Sequence, residues 1–107
     1  MFIIKNRVNG EYDRRGSYDT FHKVKRGAWD KIGHAKNHVS MRVLDCRVDH
    51  NALTWYLDAD FIEMDETGIK SVIPVSEYLK KYFSDSWRIK WLTNDEKTKL
   101  GLEISND

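Results

Sequence analysis

The sequence predicts an α+β fold, a single small domain over residues 1–107 in which a mostly antiparallel sheet carries two helices in the order β-hairpin, helix, strands, helix, β-hairpin. Three observations lead there. Apolar residues recur at helical spacing in two separate windows. They alternate with polar residues in several short runs, and the turn signals Asn9-Gly10 and Asp65-Glu66-Thr67-Gly68 stand beside such runs. With 107 residues, thirteen aromatics and four tryptophans, the chain has the material to bury roughly two thirds of its unfolded surface.

Phe2, Ile3 and Ile4 precede Asn9-Gly10, whose φ > 0 pair suits a tight turn, and Glu11-Tyr12-Asp13-Arg14 completes the first hairpin. Gly16, Ser17 and Asp19 read as a loop, with Tyr18 and Phe21 available to cover the edge of the core. Ala28, Ile32, Ala35, Val39 and Val43 then step by four, three, four and four, the spacing of one helical face. This predicts a helix over residues 30–44 with Asp30 at its start. Leu53, Trp55 and Leu57 alternate with Thr54, Tyr56 and Asp58, and ADFIEMD follows, which predicts one or two strands over 53–65. Pro74 opens a second helix whose apolar positions are Val75, Tyr78, Leu79, Tyr82 and Phe83. Trp87, Ile89 and Trp91 alternate, as do Leu100, Leu102 and Ile104, predicting a terminal hairpin. Thr93 and Glu96 carry the competing signal of a capping box, against which Gly101 speaks as a helix interrupter.

A single cysteine, Cys46, excludes an intramolecular disulfide framework and points to a reducing, cytoplasmic setting. No window approaches the ~18 apolar residues of a membrane span, and the N-terminal MFIIKNR does not read as a signal peptide, so no membrane partner is expected. The net charge of +1 hides an asymmetry: residues 1–50 carry eleven Lys and Arg against six acids, and residues 51–107 carry seven against eleven. Such a layout can steer a charged partner. The near-zero total argues against a DNA mimic and against a dedicated DNA binder.

The stretch RGAWDKIGHAKNHVSM, residues 26–41, concentrates the candidate functional residues. His34 and His38 stand one helical turn apart, and Cys46 and His50 repeat that spacing, which is the raw material of a zinc site without matching a known zinc signature. Both imidazoles lie about 100° from the apolar stripe, so solvated or interfacial side chains are the simpler reading, and neither metal nor cofactor is expected. Lys23, Lys25, Arg26, Lys36 and Arg42, with Trp29, Asn37, His34 and His38 between them, form a basic, aromatic segment that could meet phosphates and unpaired bases. No helix-turn-helix, RNA-recognition or GxxG pattern accompanies it. Asp58, Asp60, Glu63, Asp65 and Glu66 gather carboxylates in DADFIEMDE. Their spacing fails as an EF-hand loop and no phosphate loop or nucleophile elbow exists, so no enzyme is expected. Trp29, Trp55, Tyr56, Trp87 and Trp91 are candidate anchors for a protein partner, each with at least an equal claim to the core.

FIIKN, NGEYDRRGS, AWDKIGHAKNHVSM and YLDADFIEMD together resemble small bacteriophage-encoded proteins of unassigned function, over about the first 65 residues. The resemblance implies a short protein that works in a bacterial host cytoplasm by binding and altering a host factor, and it brings no catalytic residues. The leading expectation is therefore a non-enzymatic protein-interaction module with a host protein as partner. Nucleic-acid binding through residues 22–42 is the alternative, and the oligomeric state is not legible.

Overall fold

The computed structural model describes residues 1–13, 21–22, 27–44 and 47–103. Five strands, β1 (Phe2–Asn6), β2 (Tyr12–Asp13), β3 (Phe21–His22), β4 (Ala59–Asp65) and β5 (Gly68–Pro74), form one sheet in the order β3-β2-β1-β4-β5. Every neighbouring pair is antiparallel. Four helices accompany them: α1 (Ile32–Val43), α2 (His50–Leu57), α3 (Val75–Ser84) and α4 (Asn94–Leu100), with a 3₁₀ turn (Trp87–Trp91) between the last two. No helix among the described residues is long and apolar enough to cross a membrane.

Residues directly opposite one another in an antiparallel pair share a face. The register sets Ile4 opposite Phe61, Phe61 opposite Ile73, and Asn6 opposite Ala59. Ile4, Ala59 and Phe61 join one core cluster with Val39 and Val43 of α1, Leu53 and Tyr56 of α2, Leu79 and Phe83 of α3, and Leu100 of α4. All four helices thus contribute to the core on one side of the sheet. Asn6, 2 % exposed, belongs to the same side and ties the layers together. Its amide donates to the Trp55 carbonyl at 3.0 Å, while its side-chain oxygen accepts from the amides of Val8 and Asn9 and shapes the β1–β2 connection. Gly10 takes φ 76° there, in the turn the Asn-Gly pair predicts.

The class and the antiparallel sheet stand, but the expectation of two helices is corrected to four, and two predicted strand regions are helical. Residues 53–57, read as a strand, belong to α2. Asp49 caps that helix by accepting from the amides of Asn51 and Ala52, both at 3.1 Å, and Ala52, Leu53, Trp55, Tyr56 and Leu57 are all buried. A short helix surrounded by core on most sides loses the one-sided pattern that identifies helices on a surface. The turn at 65–68 is present, and it joins β4 to β5, a strand that was not predicted.

The predicted C-terminal hairpin is likewise replaced by the 3₁₀ turn and α4. Thr93 Oγ accepts from the Glu96 amide at 3.1 Å and Glu96 returns the bond to the Thr93 amide at 2.8 Å, a complete capping box. Gly101, which argued against a helix, closes one: at φ 77° it is the left-handed residue whose backbone N–H donates to the carbonyls of Lys97 and Thr98. In α1 the observed N-cap is Lys31, without a side-chain bond, so Asp30 does not cap the helix as expected. Pro74 is the last residue of β5 and the N-cap of α3 rather than its first helical residue.

The capping box makes a direct prediction. Thr93→Ala should lower the unfolding free energy by about 1 kcal/mol in denaturant titrations, and an unchanged midpoint would mean that α4 does not depend on this cap.

Candidate functional site

Helix α1 carries most of the residues singled out in the sequence, and its surroundings divide them. Ala35, Val39 and Val43 are fully buried against the sheet. His38 and Arg42 flank that stripe and turn toward β2 instead of facing solvent, with side chains only 16 % and 17 % exposed. What they meet is the carboxylate of Asp13, which is completely buried.

Asp13 is the focus of a polar cluster inside the molecule. The Tyr56 hydroxyl of α2 donates a short hydrogen bond to Asp13 Oδ2. His38 Nε2 approaches the same oxygen at 3.1 Å, and the Arg42 guanidinium stands 3.9 Å from Oδ1. The His38 contact is close but misaligned for a hydrogen bond, and Oδ1 has no hydrogen-bond partner among the described residues. Trp29, buried to 4 % exposure, pairs its backbone with Phe2 and sets its indole 4.9 Å from the His38 ring. Burial, followed by the neighbouring Asp13 charge, pushes the Tyr56 phenol far above its ordinary value, so it remains a donor. One strand and two helices therefore converge on a single anion.

The remaining predicted residues lie elsewhere. His34 and Asn37 are exposed on the outer side of α1, where the Asn37 amide lies 3.7 Å from the sulfur of the exposed Met41. Lys36 bends over the Tyr78 ring of α3, 5.7 Å from its centroid. Lys23, Lys25 and Arg26 fall outside the described residues, as do Cys46, Tyr18 and the loop 16–19. The structure thus brings together Trp29, His38 and Arg42, but around an internal acid. His38 and Arg42 are directed inward and do not lie on the outer side of α1.

The candidate metal and acidic clusters separate as well. His50 binds both oxygens of Glu96 at 3.0 and 2.9 Å, while His38 belongs to Asp13. No group of three or more potential ligands converges among the described residues. Asp60 pairs with Arg7 at 3.2 Å, Glu63 accepts from Ser71 at 3.3 Å, and Asp65 accepts from the Thr67 amide and hydroxyl. Each carboxylate of DADFIEMDE with a partner has a different one.

A second surface, on the far side of the sheet, is built from aliphatic side chains that sequence reasoning did not single out as a surface. The register places Ile3 opposite Ile62, Ile62 opposite Val72, and Met64 opposite Ile69, all on the face away from the helices. Met1 extends this row, its carbonyl accepting from the Met64 amide at 2.8 Å. Ile69, Met1 and Val72 are 63 %, 57 % and 54 % exposed, whereas Ile3 is buried among its neighbours. A groove of about 440 Å³ lined by Met1, Met64, Asp65 and Glu66 runs along one end of the patch. β5 is an edge: among the described residues it pairs with β4 alone.

Compared with protein-family models, with curated proteins and with solved structures, the chain matches none. The resemblance to bacteriophage proteins gains no support from these comparisons, and function has to be argued from the surfaces.

Tyr56 provides the test of the internal cluster. Tyr56→Phe removes a hydrogen bond to a charged group and should cost about 1.5–3 kcal/mol. Because folding raises the Tyr56 pKa above its unfolded value near 10, its stabilisation is complete below about pH 10 and declines as pH rises beyond that. Denaturant titrations at a series of alkaline pH values should therefore show stability falling more steeply with pH in the native sequence than in Tyr56→Phe. Parallel pH profiles would refute the protected phenol.

Proposed function

We propose that this chain is a non-enzymatic protein-binding module that receives an extended segment of another protein along β5 and the adjoining outer face of the sheet. The observation that carries the reading is the exposure of Ile69 and Val72 on a seven-residue edge strand. An edge strand leaves alternate backbone N–H and C=O groups without a neighbour, and proteins ordinarily blunt such edges with charge, proline or cover. β5 has one Lys, at Lys70, and its Pro stands at the end where the chain turns into α3. Strand addition satisfies the backbone row, and the apolar side chains of the incoming segment cover Ile62, Met64, Ile69 and Val72.

Charge narrows the occupant. Asp65 and Glu66 stand at the tip of the β4–β5 hairpin beside the groove. Lys70 pairs with Asp65 at 3.3 Å, and Glu66 makes no ion pair among the described residues. The Thr67 hydroxyl, aided by the Thr67 amide, holds the Asp65 carboxyl below its ordinary value, so Asp65 stays anionic at neutral pH. An apolar segment with Lys or Arg at its flank fits this edge.

Selection of short random peptides against the folded chain, followed by amide NMR mapping, tests the reading. The expected result is enrichment of alternating apolar sequences with basic flanks whose binding moves the resonances of residues 68–74. Val72→Asp should abolish binding while leaving the thermal midpoint within a few degrees, because its side chain is more than half exposed. Enriched peptides that leave β5 unmoved, or bind Val72→Asp equally well, would sink the proposal. So would concentration-dependent dimerisation through β5, which would make the occupant a second copy.

A further inference from the structure

In the helical layer, the sequence WRIKW folds into the 3₁₀ turn between α3 and α4. Its two tryptophans meet edge to face, with centroids 4.9 Å apart and an interplanar angle of 76°. Trp87 is 61 % exposed, the most exposed aromatic among the large apolar side chains of the described residues. Trp91 is half-buried and forms one wall of an open groove of about 480 Å³, which Arg47, Val48 and His50 complete.

The cations of this surface are gathered around the rings. The Arg88 guanidinium lies 4.9 Å from the Trp87 centroid and Lys90 Nζ 5.4 Å from it, while Arg47 stands at the groove. None of the three makes an ion pair among the described residues. His50 is oriented by Glu96. The Glu96 carboxylate meets Nδ1 of the His50 ring and also accepts from the Thr93 amide, so Nε2 is the ring nitrogen left to meet a ligand. The Glu96 charge is answered by His50 and by the first turn of α4, which it caps. The surface therefore combines π faces, cations without carboxylate partners among the described residues, and a groove within the size range of small-molecule sites.

We propose that the groove between Arg47 and Trp91, continued over Trp87, binds single-stranded nucleic acid: an unpaired base packs against the indoles, and the phosphates on either side meet Arg47 and the Arg88 and Lys90 pair. Bases offer their faces to tryptophan only when unpaired, and stacking beside cations is the recurrent physical solution for holding a single strand. This surface is separate from the β5 edge in sequence and in secondary structure, so each claim can fail without the other. It also moves any nucleic-acid contact from the basic segment 22–42 to residues 47–91.

The four tryptophans give four indole N–H signals in a ¹⁵N spectrum, which makes the test site-specific. Titration with oligothymidylate should shift the signals of Trp87 and Trp91 and leave those of Trp29 and Trp55, which are nearly buried, in place. Affinity should fall roughly tenfold as salt rises from about 50 to about 200 mM, the loss expected for two or three phosphate contacts. Arg47→Glu, at an exposed position, should weaken binding at least tenfold, as should Trp87→Ala, while Lys70→Glu on β5 should leave it unchanged. Four outcomes overturn the proposal: no shift at Trp87 and Trp91 at low salt; duplex DNA bound as tightly as the single strand; thymidine monophosphate bound as tightly as the oligomer, which makes the site a nucleotide pocket; or an acidic peptide moving the same two signals with equal affinity, which makes it a protein contact.

Discussion

A carboxylate removed from water must be compensated by the protein itself, and the effective penalty is several kcal/mol if it is not. Asp13 is in this position, with no solvent exposure at its side chain. Among the described residues its compensation comes from three side chains on two helices: Tyr56 of α2, and His38 and Arg42 of α1. A two-residue strand, β2, is far too short to hold its place by pairing alone, since Lys5 opposite Tyr12 is its whole register with β1. The anion supplies the missing constraint. It locates β2 beneath the helices and fixes the rotation of α1 about its axis, because the turn that aims His38 and Arg42 at Asp13 also drives Ala35, Val39 and Val43 into the core.

From that constraint follows the distribution of the remaining surface. With the inner side of α1 committed, its outer side carries His34, Asn37 and Met41 and no continuous row of cations. The helical layer is closed by α4, whose capping box uses Glu96 both to start the helix and to hold His50. The sheet's far face has no helix on it among the described residues, and there Ile69 and Val72 stand open on an edge strand. The two proposed binding surfaces are thus the places where the packing leaves unused capacity: backbone groups along β5, and aromatic faces with cations along the 3₁₀ turn.

Much of this architecture can be read from the residues, and the exceptions have physical causes. The Asn-Gly turn, the face of α1 and the face of α3 carry one-sided patterns, because each element has one wet side. Leu53, Trp55 and Leu57 mislead because five of the eight residues of α2 are buried and only His50, Asn51 and Thr54 are exposed, and over so short a helix alternation competes with helical spacing. The Asp49 cap was the available signal. At the C-terminus the capping box of Thr93 and Glu96 is visible in the sequence, but Gly101, which resembles a helix interruption, is a left-handed cap. The cluster around Asp13 could not be read at all: its partners lie 25 to 43 positions from Asp13, and no local spacing joins an acid on a strand to a tyrosine on a helix. His38 and Arg42 looked like surface cations for the same reason.

The central claim, that the Asp13 anion binds β2 to the helices through Tyr56, is tested most directly by a double-mutant cycle of Asp13→Asn and Tyr56→Phe in denaturant unfolding. The account predicts strong non-additivity, with a coupling energy of about 1 kcal/mol or more, because the two groups share one buried hydrogen bond. Effects that add to within about 0.5 kcal/mol would contradict it.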